Sequence, residues 1–273
     1  MAAELRGLRD LAGISGRDLA KRIGVSQSKI SRIESGNAVP SLPEVQAWGR
    51  ELGTPAEVQQ RLATMTAAAH HESSPWRTAL LGKGHLQHDI LRKESDAHQL
   101  RVFQSSVVPG LLQTPEYARR VFSMFQIPYS ETDLAAAVSA RLDRQLALYS
   151  RDKRFDFLIT ESALRWRPGP PSLLVVQLER IAQLSTLQNV DIGLIPQNTE
   201  ALTFTSHSFV VYDGSDVSQA SVETIHSQMN IVAAEDVELY NQRWIQLRRM
   251  ALFDDHARDF LHQLIADINS TTY

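Results

Sequence analysis

The sequence predicts a two-part chain, with a mainly α N-terminal domain followed by an α+β domain with a small mixed sheet. Three observations carry this. Residues 16–36, GRDLAKRIGVSQSKISRIESG, place apolar residues at helical spacing on both sides of a glycine. Residues 68–85, ending in HHESSPWRTALLGKGH, turn polar and break the periodicity, so they read as a linker. From residue 155 onward, short strand-like runs alternate with amphipathic helical patterns. The domains so defined are 1–67 and 86–273.

Within 16–36, Leu19, Ala20 and Ile23 form the inward face of a first helix. Gly24 ends it, because glycine takes the left-handed conformation of a helix C-terminus at little cost. Val25 plugs the turn, and Ser26 can cap the next helix by accepting from a free backbone N–H. Ile30 and Ile33 then point inward. Gln27, Ser28, Lys29, Ser31 and Arg32 are left facing outward, a surface suited to a DNA groove. Gln27 and Arg32 can bond base edges bidentately, while Ser26, Ser28 and Lys29 suit phosphates or single edge contacts. The competing reading is a plain helical hairpin, which shares the apolar spacing and the glycine. Such a hairpin rarely adds the small residue at Ala20, the Gly-Val-Ser turn and a Gln/Ser/Lys face.

This segment resembles the helix-turn-helix of the XRE, or phage-repressor-like, family over about residues 3–66. The resemblance implies five helices: Ala3–Ala12, Gly16–Ile23, Gln27–Ser35, Leu42–Leu52 and Pro55–Thr66. It implies base contacts from Gln27, Ser28 and Arg32, and phosphate contacts from Ser15, Arg17, Ser26 and Lys29. After Gly36 the phage proteins are basic, whereas this chain has Asn37, Ala38 and Val39. There backbone N–H groups, with Asn37 the phosphate candidate, must replace charge.

Charge supports a local DNA-binding face. Residues 1–53 hold eight Lys/Arg against six Asp/Glu, and the remainder twenty against twenty-five. Between 15 and 32 the balance is five basic to one acidic. An acidic body disfavours non-specific coating of DNA and leaves affinity to that face, so tight binding calls for two copies. With no cysteine, disulfides, thiolate zinc sites and cysteine nucleophiles are excluded. The N-terminus lacks the apolar core of a signal peptide, and no run approaches a membrane span. The expectation is a cytoplasmic protein, nucleoid-associated when bound to DNA.

The second domain opens on 86–104, helical or mixed. Pro109-Gly110 signals a turn. Thr114, Pro115 and Glu116 supply a cap, an N1 proline and a carboxylate near the positive helix end. A helix over Glu131–Tyr149 carries Leu134, Val138, Leu142, Leu146 and Tyr149 on one face, with Arg141, Arg144 and Gln145 beside that stripe. FDFLIT and VDIGLIP read as strands around the helix PPSLLVVQLERIAQLSTL, and Glu161–Trp166 as a helical turn. SFVVYD and QASVET are two more strands, joined by the hairpin chemistry of Asp213-Gly214-Ser215-Asp216. Helices Glu235–Leu252 and Asp254–Ile268 close the chain.

The runs VPGLLQTPEYAR, RLDRQ, FLITESALRW and QLERIAQLSTLQNVDIGLIP resemble the C-terminal domain of an actinobacterial regulator family, antitoxin-like and of the WhiJ type. This resemblance covers most of 75–268. It implies a transcription regulator with a small BldB-like partner protein. The family's aromatic-rich strand ending in Glu fits less well at QASVETIHSQM, where Glu223 matches the Glu but no Tyr precedes it.

Catalytic motifs are missing. There is no GxSxG elbow, no phosphate-binding glycine loop and no HExxH, so neither an enzyme nor a cofactor is expected. His85, His88 and Asp89, with His70, His71 and His98 nearby, have a spacing that could hold a metal, but with no HExxH and in a linker-like stretch they read as solvated side chains. Arg141, Arg144 and Gln145 with Glu161, Arg165 and Trp166 are the candidate ligand or partner site. Arginine forks bind carboxylates and tryptophan offers a flat wall. The alternative is a structural Arg–Glu network. The expected function is a dimeric, sequence-specific DNA-binding regulator controlled through its C-terminal domain by a small protein or ligand. The other reading is an antitoxin-like protein that sequesters a small toxic partner and autoregulates its operon.

Overall fold

Apolar residues at helical spacing build the N-terminal unit, Met1–Glu72, from α1 (Ala2–Leu11), α2 (Gly16–Ile23), α3 (Gln27–Glu34), α4 (Leu42–Glu51) and α5 (Ala56–His70). The computed structural model describes residues 1–76, 86–125, 129–214 and 218–270, without the side chains of 67–75, 88 and 89. Leu5, Leu19, Ala20, Ile30, Ile33, Val45, Trp48 and Leu62 form one buried core. Each of the middle helices starts on a serine cap. Ser15 accepts from the Asp18 N–H, Ser26 from Lys29 and Ser41 from Glu44. Gly24 ends α2 at φ 74°, in the left-handed region that favours glycine.

The second unit, Ser73–Tyr273, is a mixed sheet with helices on both faces. Its strands are β1 (His71–Pro75), β2 (Ala97–Gln104), β3 (Arg154–Thr160), β4 (Val190–Ile195), β5 (Phe209–Gly214), β6 (Ser218–Glu223) and β7 (Ser227–Ile231). The order is β1-β7-β6-β5-β2-β3-β4. β2, β3 and β4 run parallel, while β5 is antiparallel to β2 and to β6, and β6 to β7. The helices are α6 (Gln87–Asp96), α7 (Pro115–Ser123), α8 (Glu131–Gln145), α9 (Glu161–Arg165), α10 (Pro171–Leu184), α11 (Ala234–Arg248) and α12 (Asp254–Ser270).

Period-two alternation divides the core. Leu100, Val102, Phe155, Phe157 and Ile192 face one way, against Leu174, Leu178 and Ile181 of α10 and Leu261 and Leu264 of α12. Phe103, Leu158, Val211 and Val222 face the other way, against Val237, Trp244 and Leu247 of α11. Three departures from the sequence reading stand out. The interval 68–85 holds the end of α5 and the strand β1, with 77–85 outside the described residues. β2 emerges straight from α6 with no breaker residue between Asp96 and Ala97, and β7 is a polar strand, SQMNI. The expected helix Glu131–Tyr149 is α-helical only to Gln145, and its last four residues tighten into a 3₁₀ turn.

Candidate nucleic-acid interface and C-terminal cavity

Burial of Ile30 and Ile33 fixes which side of α3 meets solvent. Gln27, Ser28, Lys29, Ser31 and Arg32 are all exposed. The helix is held at its far end by Arg9 of α1, whose guanidinium forks onto Glu34 with Nε–Oε1 2.5 Å and Nη2–Oε2 2.9 Å. Glu34 sits in the last turn, where the helix dipole disfavours a carboxylate, so a cation there is needed on physical grounds. The close approach of α2 and α3 uses small residues. A Cβ at Gly16 would lie 3.6 Å from Ile30 Cγ2, and Ala20 is buried.

The phosphate candidates divide by what already occupies them. Arg17 is exposed, and neither it nor Arg32 forms an ion pair among the described residues. Ser26 uses its oxygen as an acceptor and keeps its O–H to donate. Ser15 donates its O–H to Asp18 at 2.6 Å, which sets a carboxylate where a phosphate would have to approach. Lys29 is paired with Glu44 at 2.6 Å. Burial raises the Glu44 carboxyl, but the bonds from Lys29 and the Ser41 N–H outweigh it and hold it below its ordinary value. The backbone expected to replace charge after Gly36 is already bonded. Gly36 N–H donates to Ile33, and the Asn37 and Ala38 N–H groups both donate to the Arg32 carbonyl. That turn closes the end of α3, so its donors are spent on the cap, and Asn37 offers only its side chain, already bonded to Ser35 at 3.0 Å.

In the second unit the buried face of α8 is Ala137, Val138, Arg141, Arg144 and Gln145, with Leu134 and Leu142 of the expected stripe half-buried beside it. Arg141, Arg144 and Gln145 are each less than 10% exposed, while Leu146 and Tyr149 are 70% and 55% exposed. Arg144 donates to both Glu94 oxygens and to Gln87 Oε1 at 2.5 Å. Gln145 Nε2 donates to the Gln113 carbonyl at 2.7 Å. Arg141 Nη1 donates to Gln113 Oε1 at 2.7 Å, its guanidinium lies 4.0 Å over the Phe122 ring, and its Nε is buried without a hydrogen-bond partner among the described residues. A Cβ on Gly110 would sit 3.4 Å from that guanidinium, so the glycine admits the arginine. Arg141 and Arg144 border a cavity of about 510 Å³ over β2, β5 and β6. Leu100, Val102, Val210 and Tyr212 form its apolar floor, and Glu94 and Glu223 also line it.

Residues 87–263 match the family described as a domain of unknown function, DUF5753. The chain belongs to the DUF5753 family. Residues 1–62 match a helix-turn-helix domain, the kind of unit with which transcription regulators bind DNA. A phospholipase D family member, Nuc from Salmonella typhimurium, is similar to 63% of this chain and 91% of its own, at 11% identity and a TM-score of 0.34, too low to carry an argument.

The DUF5753 region does not bring the six expected site residues together. Arg165 bonds Glu161 at 2.6 Å and Asp267 at 3.0 Å, and Glu161 also accepts from the Gln197 N–H. Trp166 packs edge-on to Tyr117, ring centres 6.1 Å apart. None of these three lines the cavity. Glu161 and Arg165 bond each other, Asp267 and the Gln197 N–H, as an Arg–Glu network would, while Trp166 contributes a ring contact only. Sequence reasoning missed Glu94, Gln113 and Phe122, which surround the buried arginines from α6, the Pro109–Gly110 turn and α7. Of the metal candidates, the side chains of His70, His71, His88 and Asp89 and all of His85 lie outside the described residues. No helix among the described residues is long and apolar enough to cross a membrane.

Proposed function

We propose that this DUF5753 protein is a sequence-specific transcription regulator that binds its operator as a homodimer. The observation that carries this is the outer face of α3. Gln27, Ser28 and Arg32 are exposed together on a capped helix whose other side is locked into a core. Gln27 and Arg32 read base edges in the major groove, and Arg17 and the Ser26 hydroxyl position the phosphates. Two such helices read half-sites about one helical turn apart. The second unit, longer than the first and acidic, supplies regulation by a small partner protein or ligand and no catalytic step. The protein works in the cytoplasm, on the nucleoid when DNA-bound.

Selection of binding sites from random duplexes with the full chain tests this. The expected product is a paired motif with fixed spacing, enriched again in a genome-wide binding map. Recovery of no motif, or of a motif unchanged by Gln27→Ala and Arg32→Ala together, would refute it.

A further inference from the structure

The cavity over β2, β5 and β6 contains a cation that makes no ion pair among the described residues. Arg144 is matched, since Glu94 takes two of its donors and Gln87 a third. Arg141 is not. It is 9% exposed, its one hydrogen-bond acceptor among the described residues is the neutral amide of Gln113, and its Nε has none. A buried guanidinium with no carboxylate hydrogen-bonded to it among the described residues is costly, because burial removes water and Glu223 and Glu94 attract it only from a distance. The arrangement is nonetheless built with care. Phe122 stacks on one face, Gly110 leaves room for the guanidinium, and Gln113 orients it while being anchored through its own Nε2 to the Val108 carbonyl at 2.7 Å.

We propose that this cavity is a small-molecule site in which Arg141 receives the carboxylate of a monoanionic ligand with an apolar body. Three features fix that chemistry. A planar guanidinium with an unused donor matches a carboxylate. The floor of Leu100, Val102, Val210 and Tyr212 takes an apolar body, and about 510 Å³ lies within the range of small-molecule sites. The buried charges leave one cation, Arg141, and the exposed Glu223 brings the total around the cavity to zero, so the charge count admits at most one anion. Arg144 and Glu94 cancel, and Glu223, exposed at the end of β6, lines the same cavity without pairing with Arg141 among the described residues. A dianionic phosphate would meet the Glu94 and Glu223 carboxylates, whereas a single carboxylate balances Arg141 alone. The site is a property of the second unit and stands whether or not the first unit binds DNA. Control of operator affinity by its occupancy rests on the function proposed above.

The test is calorimetry and thermal unfolding of the DNA-free full chain with phenylbutyrate, its neutral amide and inorganic phosphate. The expected result is that phenylbutyrate binds at least tenfold more tightly than the amide and raises the unfolding midpoint, while phosphate does neither. Arg141→Met should keep or raise the midpoint of the unliganded protein and abolish the difference between acid and amide. Glu223→Gln should tighten the acid by removing a competing carboxylate. Equal binding of acid and amide, no binding of the acid, or a preference for phosphate would each overturn the assignment. So would an acid response that survives in Arg141→Met. Because no DNA is present, these outcomes are independent of whether the chain has an operator.

Discussion

Lys29 on the outer face of α3 is held by an acidic neighbour, and releasing it should strengthen DNA binding. The perturbation is Glu44→Gln. Glu44 serves α4 as the N3 partner of a capping box, accepting from the Ser41 N–H at 2.9 Å, and glutamine keeps that bond. The substitution therefore removes charge while sparing the cap. At the observed 2.6 Å, Coulomb attraction in water is about 1.6 kcal/mol. Lys29 is 45% exposed, so screening and side-chain entropy bring the pair to about 0.2–1 kcal/mol. A phosphate that recruits Lys29 must overcome that amount, and Glu44→Gln should tighten all DNA by about 1.4- to 5-fold per recognition helix. Anisotropy with cognate and random duplexes over a salt series reads the effect. Lys29→Ala should lower the salt slope by about 0.9 per lost phosphate contact. In the Lys29→Ala background most of the gain from Glu44→Gln should disappear, which a double-mutant cycle measures. An unchanged slope in Lys29→Ala, or a gain from Glu44→Gln that persists without Lys29, would show that Lys29 does not reach DNA.

Arg32→Ala should cost about 1–3 kcal/mol on the cognate site and little on random DNA, and equal losses on both would make Arg32 a phosphate clamp. Arg144→Met leaves Glu94 buried and unpaired and should cost about 3–5 kcal/mol by urea unfolding, with Glu94→Met in the same chain restoring most of it. Strictly additive losses in that pair would contradict the coupling. The Glu44 carboxyl is held below its ordinary 4.5, so its contribution to stability is complete above that pH and is lost as pH falls through the lowered value. The stability gap between the native chain and Glu44→Gln should accordingly close in acid, and a gap that instead widens there would reverse the sign of the argument.

What was legible in the sequence was what local chemistry fixes. Gly24, the three serine caps and the spacing of Leu19, Ile30 and Ile33 each act within a few residues, and the first four helices lie within one residue of their expected ends. Thr114 caps α7 as its Pro-Glu sequel implies. β2 and β7 were hidden because nothing local marks them. β2 follows a helix without a turn residue, and β7 owes its strand state to hydrogen bonds from β6 rather than to its polar side chains. The interface around α3 was legible as a list of residues but not as a set of commitments. That Ser15 serves Asp18, Lys29 serves Glu44 and the Asn37 N–H serves Arg32 depends on partners a sequence does not pair.

The buried face of α8 and the turn after it show why the cavity escaped notice, because Val138 is buried as the stripe requires but shares that face with polar residues. Leu134, Val138, Leu142, Leu146 and Tyr149 make the better apolar stripe, and hydrophobicity alone would turn it inward. Yet Leu146 and Tyr149 are solvent-exposed, and Arg141, Arg144 and Gln145 are buried. Only tertiary partners make that orientation tolerable. Glu94 and Gln87 reach Arg144 from a helix some fifty residues earlier, and the Gly110–Gln113 segment supplies the acceptors for Gln145 and Arg141. A helix that buries two guanidinium groups beside Ala137 and Val138 departs from the local optimum, and such departures concentrate at functional sites. A purely structural origin would leave both arginines fully paired. Among the described residues Arg144 meets that condition and Arg141 does not, so the proposed ligand site attaches to Arg141 and not to the cluster as a whole.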